Sequence, residues 1–339
     1  MELIINGKFL CQHKTGVQNF ALGITEALLR IDPTIVVVRP STKDYLAVAS
    51  TPIGRFTGLL WEQISLPIYI SKNKNRFLIN LGNAAPLACK NQVITIHDLA
   101  FEKQGKQWFT ASFRAWYQYL IPKLCRKAKL IFTVSEFSKK ELIKGYNLPS
   151  EKVKIISNGL REVQFQAKIE LNYKYLVVIG ANNPRKNANW VVQHMDIIVN
   201  QGYKLVVLSN KEEVFPNKQV PMHEHLIHYS GADDSTYFQL LKNASGLIYP
   251  SLYEGFGLPI LESLSMGTPV IASDLEVFRE SFGELPIYFE LNNVNSFEKA
   301  IANLKDKKIQ PVDQEKLKEQ YNFDKSAKVL LTAINELNK

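Results

Sequence analysis

A chain of 339 residues exceeds what a single hydrophobic core ordinarily spans, so two domains of common size are expected. With 46% hydrophobic and 22% charged residues the composition is that of a globular protein, which excludes a disordered or fibrous chain. The net charge of +9 is unevenly placed: 23 Lys/Arg stand against 11 Asp/Glu through residue 165, net +12, and 18 against 21 beyond it, net −3.

No apolar run approaches the roughly 20 residues of a membrane helix, and residues 1–7 enter a strand pattern without a basic leader, which predicts a cytoplasmic protein. Cys11, Cys89 and Cys125 have no paired spacing, arguing against a disulfide framework or a zinc site.

Short β-branched runs alternate with segments of helical period, the pattern of βαβ units building parallel sheets. Strands are predicted at 3–5, 35–38, 77–81, 93–96, 130–134 and 153–156. Val17, Phe20, Ala21, Ile24, Ala27, Leu28 and Ile31 recur at helical spacing and predict a helix over 17–31. Asn158-Gly159 signals a turn, and the polar, non-periodic stretch 161–172 follows it. The boundary is placed there, giving domains 1–160 and 161–339. Further strands are predicted at 175–179, 205–208, 226–229, 247–249 and 270–272, and a helix over 313–338 that can cross back to the first domain. The expected fold is α/β: two Rossmann-like, doubly wound domains facing across a cleft, with ligands beyond the carboxyl ends of the strands.

The N-terminal charge concentrates in Lys72-Asn-Lys-Asn-Arg76, in 123–129 and in Lys139-Lys140, beside Trp108, Phe113, Trp116, Tyr117 and Tyr119. Such a face suits an anionic membrane surface, and nucleic acid is the alternative. A solvated helix face carries the same pattern.

Four constellations carry chemistry. In Glu254-Gly-Phe-Gly-Leu-Pro-Ile-Leu-Glu262, Gly255 and Gly257 permit a tight turn, and Pro259 suits the first turn of a helix opening near Leu258. The free N–H groups and positive dipole end of that helix suit a diphosphate, and Glu254 and Glu262 can accept hydrogen bonds from vicinal hydroxyls. In 180–187, Arg185 and Lys186 follow a strand, where cations can stabilise a departing phosphate. His97 and Asp98 end the strand at 93–96 and are candidates for contacting donor or acceptor hydroxyls, with Asp98 orienting His97 or acting as base. Gly16, before the helix at 17–31, can bring its backbone to phosphates. No Asp-x-Asp occurs, so no metal is expected; no GxGxxG follows the first strand, and no Walker loop is present.

At these residues the chain resembles the retaining glycosyltransferases of family 4, marked by a Glu, seven residues and a second Glu, as at Glu254 and Glu262. Thr15-Gly16-Val17, Trp61-Glu62-Gln63, Ile96-His97-Asp98-Leu99, Val134-Ser-Glu-Phe-Ser138, Asn158-Gly159, Pro184-Arg-Lys-Asn187 and Gly267-Thr-Pro-Val270 follow in family order, over about residues 3–338. The resemblance implies the GT-B fold and a donor site in which Glu254 contacts the hexose, Glu262 the ribose hydroxyls, and the backbone of Gly255, Phe256, Gly257 and Leu258 the sugar or diphosphate. Arg185 and Lys186 would hold the diphosphate, Gly16 would approach it, and His97 with Asp98 would border the acceptor. It further implies a nucleotide-diphosphate sugar as substrate, no metal or cofactor, and retention of anomeric configuration. The segment 14–20 departs from the family, whose members often place Arg and Tyr after the glycine, and the chain is short for the family.

The expected function is transfer of a hexose, mannose from a GDP-linked donor in the preferred reading, to a lipid-linked glycan or polysaccharide at the inner membrane face. Rhamnosyl or glucosyl transfer, a sugar-nucleotide epimerase of the same fold and a basic nucleic-acid-binding module are the alternatives. No nucleic-acid partner is expected, because the paired glutamates and cations lie in the non-basic half.

Overall fold

The computed structural model describes residues 1–41, 48–102, 108–161, 169, 171–181, 183–209 and 223–337. Of the segments singled out above, residues 162–168 and 170, Asn182 and residue 338 lie outside the described residues. The chain forms two compact units, Met1–Gly159 with Tyr321–Lys339, and Leu160–Gln320.

The first unit holds a seven-stranded sheet of β1 (Glu2–Asn6), β2 (Val36–Pro40), β3 (Thr51–Ile53), β4 (Arg76–Asn80), β5 (Gln92–Thr95), β6 (Leu130–Thr133) and β7 (Val153–Ile155). Every neighbouring pair is parallel, in the order β3-β2-β1-β4-β5-β6-β7. Buried central strands such as Leu130–Thr133 read as unbroken apolar runs because helices cover both faces of a parallel sheet. The helix Gly16–Ile31 buries Phe20, Ala21, Ile24, Ala27 and Leu28, the face its periodicity marks.

The second unit holds β8 (Tyr175–Ile179), β9 (Lys204–Ser209), β10 (Leu226–Ser230), β11 (Gly246–Tyr249), β12 (Val270–Ser273) and β13 (Ile287–Phe289), in the order β10-β9-β8-β11-β12-β13, again parallel. Its strand order reverses between β8 and β11, and such a switch point opens a crevice beyond the strand ends.

Two strands lie outside the predicted set, β3 and β13, each of three residues; β3 contains Pro52 and is exposed, as befits an edge. The single helix expected over 313–338 is instead two, Pro311–Gln320 and Phe323–Glu336. Asn322 interrupts them: its side chain accepts from the amides of Asp324 and Lys325, opening a new N-terminus. The first of these helices belongs to the second unit and the second to the first, so the second unit stops at Gln320.

Phe323 fixes that return. A Cβ at Gly23, in the helix Gly16–Ile31, or at Gly159, the last residue before the second unit, would overlap its ring. Gly23→Ala is therefore expected to destabilise the protein by about 1–3 kcal/mol through overpacking. The cost should shrink in a Phe323→Leu background, which denaturation of the four proteins would measure; equal costs in both backgrounds would mean that Phe323 is not what fills the glycine's space.

Candidate active site

The two strands at the second unit's switch point carry the predicted cations and the first glutamate. After β8 the chain turns at Gly180, φ 82°, where a Cβ would press on the Lys186 side chain, so the glycine leaves room for that chain to cross. The tight turn Pro184–Lys186 is capped by the Asn183 side chain, which accepts from the Arg185 amide at 3.0 Å, and it closes on Asn187 in the left-handed region, φ 56°. The Arg185 carbonyl accepts from the Leu252 amide at 2.9 Å, which ties this turn to the segment following β11.

Glu254 lies on that segment and is 6% exposed. Arg185 Nη1 donates to its Oε2 at 2.8 Å and to the Tyr253 carbonyl at 2.6 Å. Lys186 Nζ donates to Glu254 Oε1 at 2.7 Å and to the Tyr249 hydroxyl, which itself donates to Oε1 at 3.0 Å. Burial alone would raise the Glu254 pKa, but Arg185 and then Lys186 outweigh it and bring it to about 2. Burial and the neighbouring carboxylate push Tyr249 well above the usual phenol range, so it stays a hydrogen-bond donor. Two cations thus converge on one buried carboxylate, each within 2.8 Å of it.

The helix Leu258–Ser265 opens as expected at Leu258 with Pro259 in its first turn. Gly257 precedes it at φ 118°, and a Cβ there would meet the Phe278 ring at 2.9 Å. Phe256 is buried against Phe282, and Gly255 lies between Phe256 and Glu254. Glu262, 3% exposed, takes partners of its own: Arg161 Nη2 at 3.2 Å on Oε1 and the Tyr237 hydroxyl at 2.7 Å on Oε2. Asp234 shares Arg161 at 3.0 Å. Burial raises the Glu262 pKa, opposed by Arg161 and Tyr237 without being overcome. Tyr249, Arg161, Tyr237 and Asp234 are absent from the sequence-predicted site. Tyr249, a polar ring ending a predicted strand, was the one with a local signal.

The remaining candidates belong to the first unit. Gly16 opens the helix Gly16–Ile31 at the surface, with nothing packed where a Cβ would go. His97, 7% exposed, follows β5, its Nε2 3.1 Å from the Leu81 carbonyl. A carbonyl only accepts, so Nε2 carries the proton and Nδ1 the lone pair of the neutral ring. The edge of the Phe20–His97 pair, centroids 4.7 Å apart, packs the ring. Asp98 accepts from the Ala100 amide at 2.9 Å and so braces the loop, while Leu81 and Phe20 orient His97. Glu62, from the Trp61-Glu62-Gln63 string, is buried and accepts from Lys8 at 2.8 Å and Asn6 at 3.2 Å; Asn6 also donates to Asn80 at 2.9 Å, across the reversal of strand order between β1 and β4. Among the described residues no group of three or more His, Cys, Asp or Glu is placed to hold a metal ion, and no helix is long and apolar enough to cross a membrane.

Residues 161–328 match the family described as glycosyl transferases group 1, and residues 73–162 match glycosyltransferase family 4. The chain belongs to these glycosyltransferases, and its two parallel-sheet units are those of the GT-B fold. Among curated relatives, the O-antigen chain mannosyltransferase RfbU of Salmonella typhimurium is 25% identical over 331 residues, 89% of this chain and 90% of that protein. O-antigen chain mannosyltransferase B of Escherichia coli is 29% identical over 188 residues, 50% of this chain and 49% of that one. Among solved structures, sucrose-phosphate synthase from Thermosynechococcus elongatus superposes with a TM-score of 0.72 at 15% identity, covering 99% and 98% of the two chains. Anabaena Alr3699/HepE, solved with UDP and glucose, gives 0.70 at 14% identity over 99% and 100%.

Two outcomes follow from the buried charges. Burial lowers the His97 pKa from its ordinary 6.5, more than the Leu81 carbonyl and Asp98 raise it. A histidine whose folded pKa lies below its unfolded one stabilises the fold fully above about pH 6.5, and that contribution is lost as pH falls below it. Thermal melts across pH should thus show a steeper loss below pH 6.5 for the native chain than for His97→Gln; parallel profiles would contradict the assignment. Removing Arg161 strands Glu262 in the interior. Arg161→Ala should cost about 3 kcal/mol in urea unfolding, much of it regained by adding Glu262→Gln; a double variant no better than the single would deny the pairing.

Proposed function

We propose that this chain transfers a hexose from a nucleoside-diphosphate sugar to a lipid-linked glycan or polysaccharide acceptor, with retained anomeric configuration and without a metal, in cell-surface polysaccharide synthesis. The observation that carries the reading is the convergence of Arg185, Lys186 and Glu254 at the second unit's switch point. A diphosphate seated there would place its growing negative charge against two fixed cations as the glycosyl bond breaks, so the stabilisation grows toward the transition state.

A carboxylate with a pKa of about 2 is ionised at neutral pH, so Glu254 accepts hydrogen bonds from sugar hydroxyls and is not the proton donor. Both of its oxygens are already engaged by Arg185, Lys186 and Tyr249, which disfavours a covalent glycosyl-enzyme. Attack of the acceptor on the face the diphosphate leaves, with a departing phosphate oxygen taking the proton, asks nothing more of the cluster. In this reading Glu262, steadied by Arg161 and Tyr237, takes the ribose hydroxyls, the backbone of 255–258 lies along the donor, and Gly16, His97 and Asp98 serve donor phosphate and acceptor from the first unit.

GDP-linked mannose is the preferred donor because the relatives RfbU and mannosyltransferase B carry that sugar's transfer in their names. Glucosyl transfer is the specific rival, since the HepE structure holds UDP and glucose; rhamnosyl transfer and a sugar-nucleotide epimerase come after it. The protein works in the cytoplasm, against the inner membrane face, where the helix Ala111–Lys127 presents Phe113, Tyr119 and Lys123 to solvent, with Lys123 over the Tyr119 ring at 3.5 Å.

Incubation with GDP-mannose, UDP-glucose and a deoxythymidine-diphosphate rhamnose, following nucleotide release with and without acceptor glycan, tests donor and reaction together. Acceptor-dependent release from GDP-mannose is expected, falling by about 100-fold or more in Lys186→Ala and lost in Glu254→Ala. No turnover of any GDP-linked sugar would end the mannosyl reading; release without acceptor would favour the epimerase.

A further inference from the structure

The amino-terminal edge of the first unit's sheet, the end away from His97 and Asn6, bears a concavity of about 810 Å³. Buried Ala128, Leu130 and Ala333 back its floor, and Leu337, 38% exposed, supplies the apolar surface that is open to a ligand. Six cations line it against two carboxylates, Glu151 and Glu336.

The cations divide by what they already do. Lys127 donates to the Leu87 carbonyl at 3.0 Å, Lys152 to the Arg126 carbonyl at 2.8 Å, and Lys154 pairs with Glu336 at 2.8 Å, so these three brace the wall. Lys90, Arg126 and Lys129 are exposed, and their side chains take no ion pair or hydrogen bond among the described residues. A second, smaller concavity shares Lys129 and Leu337 and continues the basic tract to Lys74 and Arg76. Uncommitted cations around an apolar floor match a ligand that is anionic at its head and apolar just below it. A nucleic acid fits poorly, because single strands bind on aromatic platforms and among the described residues no aromatic lines the larger concavity. A free phosphate would leave the apolar floor unused.

We propose that this concavity takes the phosphate headgroup of an anionic lipid, with Lys90, Arg126 and Lys129 on the phosphate and the exposed Leu337 against the glycerol and first methylenes. It rests on the membrane part of the proposed function and gives that surface a defined site. The arrangement shares no residue with the sugar-transfer set and lies at the other end of the first unit's sheet from His97, so it docks the enzyme without taking part in the reaction.

Flotation of the full chain with vesicles of phosphatidylcholine, alone or mixed with phosphatidylglycerol, tests it. Binding to the mixed vesicles only is expected. Partitioning should fall on the order of 100-fold in Lys90→Gln/Arg126→Gln/Lys129→Gln. It should hold within about threefold in Lys299→Gln/Lys305→Gln/Lys316→Gln, which removes the same charge from exposed positions of the second unit. Matching melting curves would show that both variants fold, as exposed positions should. Equal losses in the two variants, or none in the first, overturn the site while leaving the membrane reading in place. Failure of the unaltered protein to float overturns both. A melting shift with inorganic phosphate that depends on Lys90, Arg126 and Lys129 without vesicle binding, or retention on DNA in its place, likewise overturns the lipid assignment.

Discussion

One buried carboxylate organises the second unit's candidate site. An ionised Glu254 out of contact with water would be prohibitively costly alone, and it persists because Arg185, Lys186 and Tyr249 close around it. Those partners come from two strands, β8 and β11, adjacent only because the strand order reverses between them. The ion-pair cluster therefore requires the sheet topology. It also needs the local conformations that aim each side chain: Gly180 and Asn187 at positive φ on one side, Gly257 on the other. Because the cations are set before any ligand arrives, a diphosphate would meet charges whose orientation has already been settled by folding, which is the condition for strong electrostatic stabilisation.

The two glutamates of the nine-residue string illustrate how environment separates like groups. Both are buried. Glu254 is paired with two cations and is held strongly ionised, whereas Glu262 is paired with one guanidinium, on which Asp234 also draws. Burial consequently prevails at Glu262 and raises its pKa. A spacing that treats the pair as equivalent misses this, since it depends on Arg161 and Asp234, far away along the chain and close in space.

Much of the fold was legible because parallel strands covered on both faces are continuous apolar runs, as in Val270–Ser273. β3 and β13 were not, being too short for any period to register, with Pro52 inside the former. The break at Asn322 was hidden because polar residues on both sides keep helical spacing, and only the Asn322 cap shows where one helix ends. In the site, Arg185, Lys186 and Glu254 stood out because they follow strand ends, where a doubly wound sheet gathers its chemistry. Their cross-links did not: the Tyr253 carbonyl on Arg185 and the Leu81 carbonyl on His97 are backbone groups, and a backbone acceptor leaves no mark in residue identity. His97 was recognisable as a strand-end residue, but Asp98, its neighbour in sequence, is turned to the loop at Ala100.

The first unit distributes polarity differently. At the carboxyl ends of β1 and β4, Asn6 and Asn80 bond to each other, Asn80 to Gln92, and Asn6 and Lys8 to the buried Glu62. Such a network is stable only when its members satisfy one another, and here the one buried carboxylate is matched by one lysine. That end of the sheet thus absorbs little of the unit's positive excess. The amino-terminal edge carries more of it, because Lys90, Arg126 and Lys129 cluster there with few acidic neighbours. Mutual repulsion among these cations works against the compact state, and the fold tolerates it because the side chains remain in water. Their proximity is set by where β5, β6 and the helix Ala111–Lys127 begin and end, so an anion arriving at this edge would relieve a repulsion that the topology itself imposes.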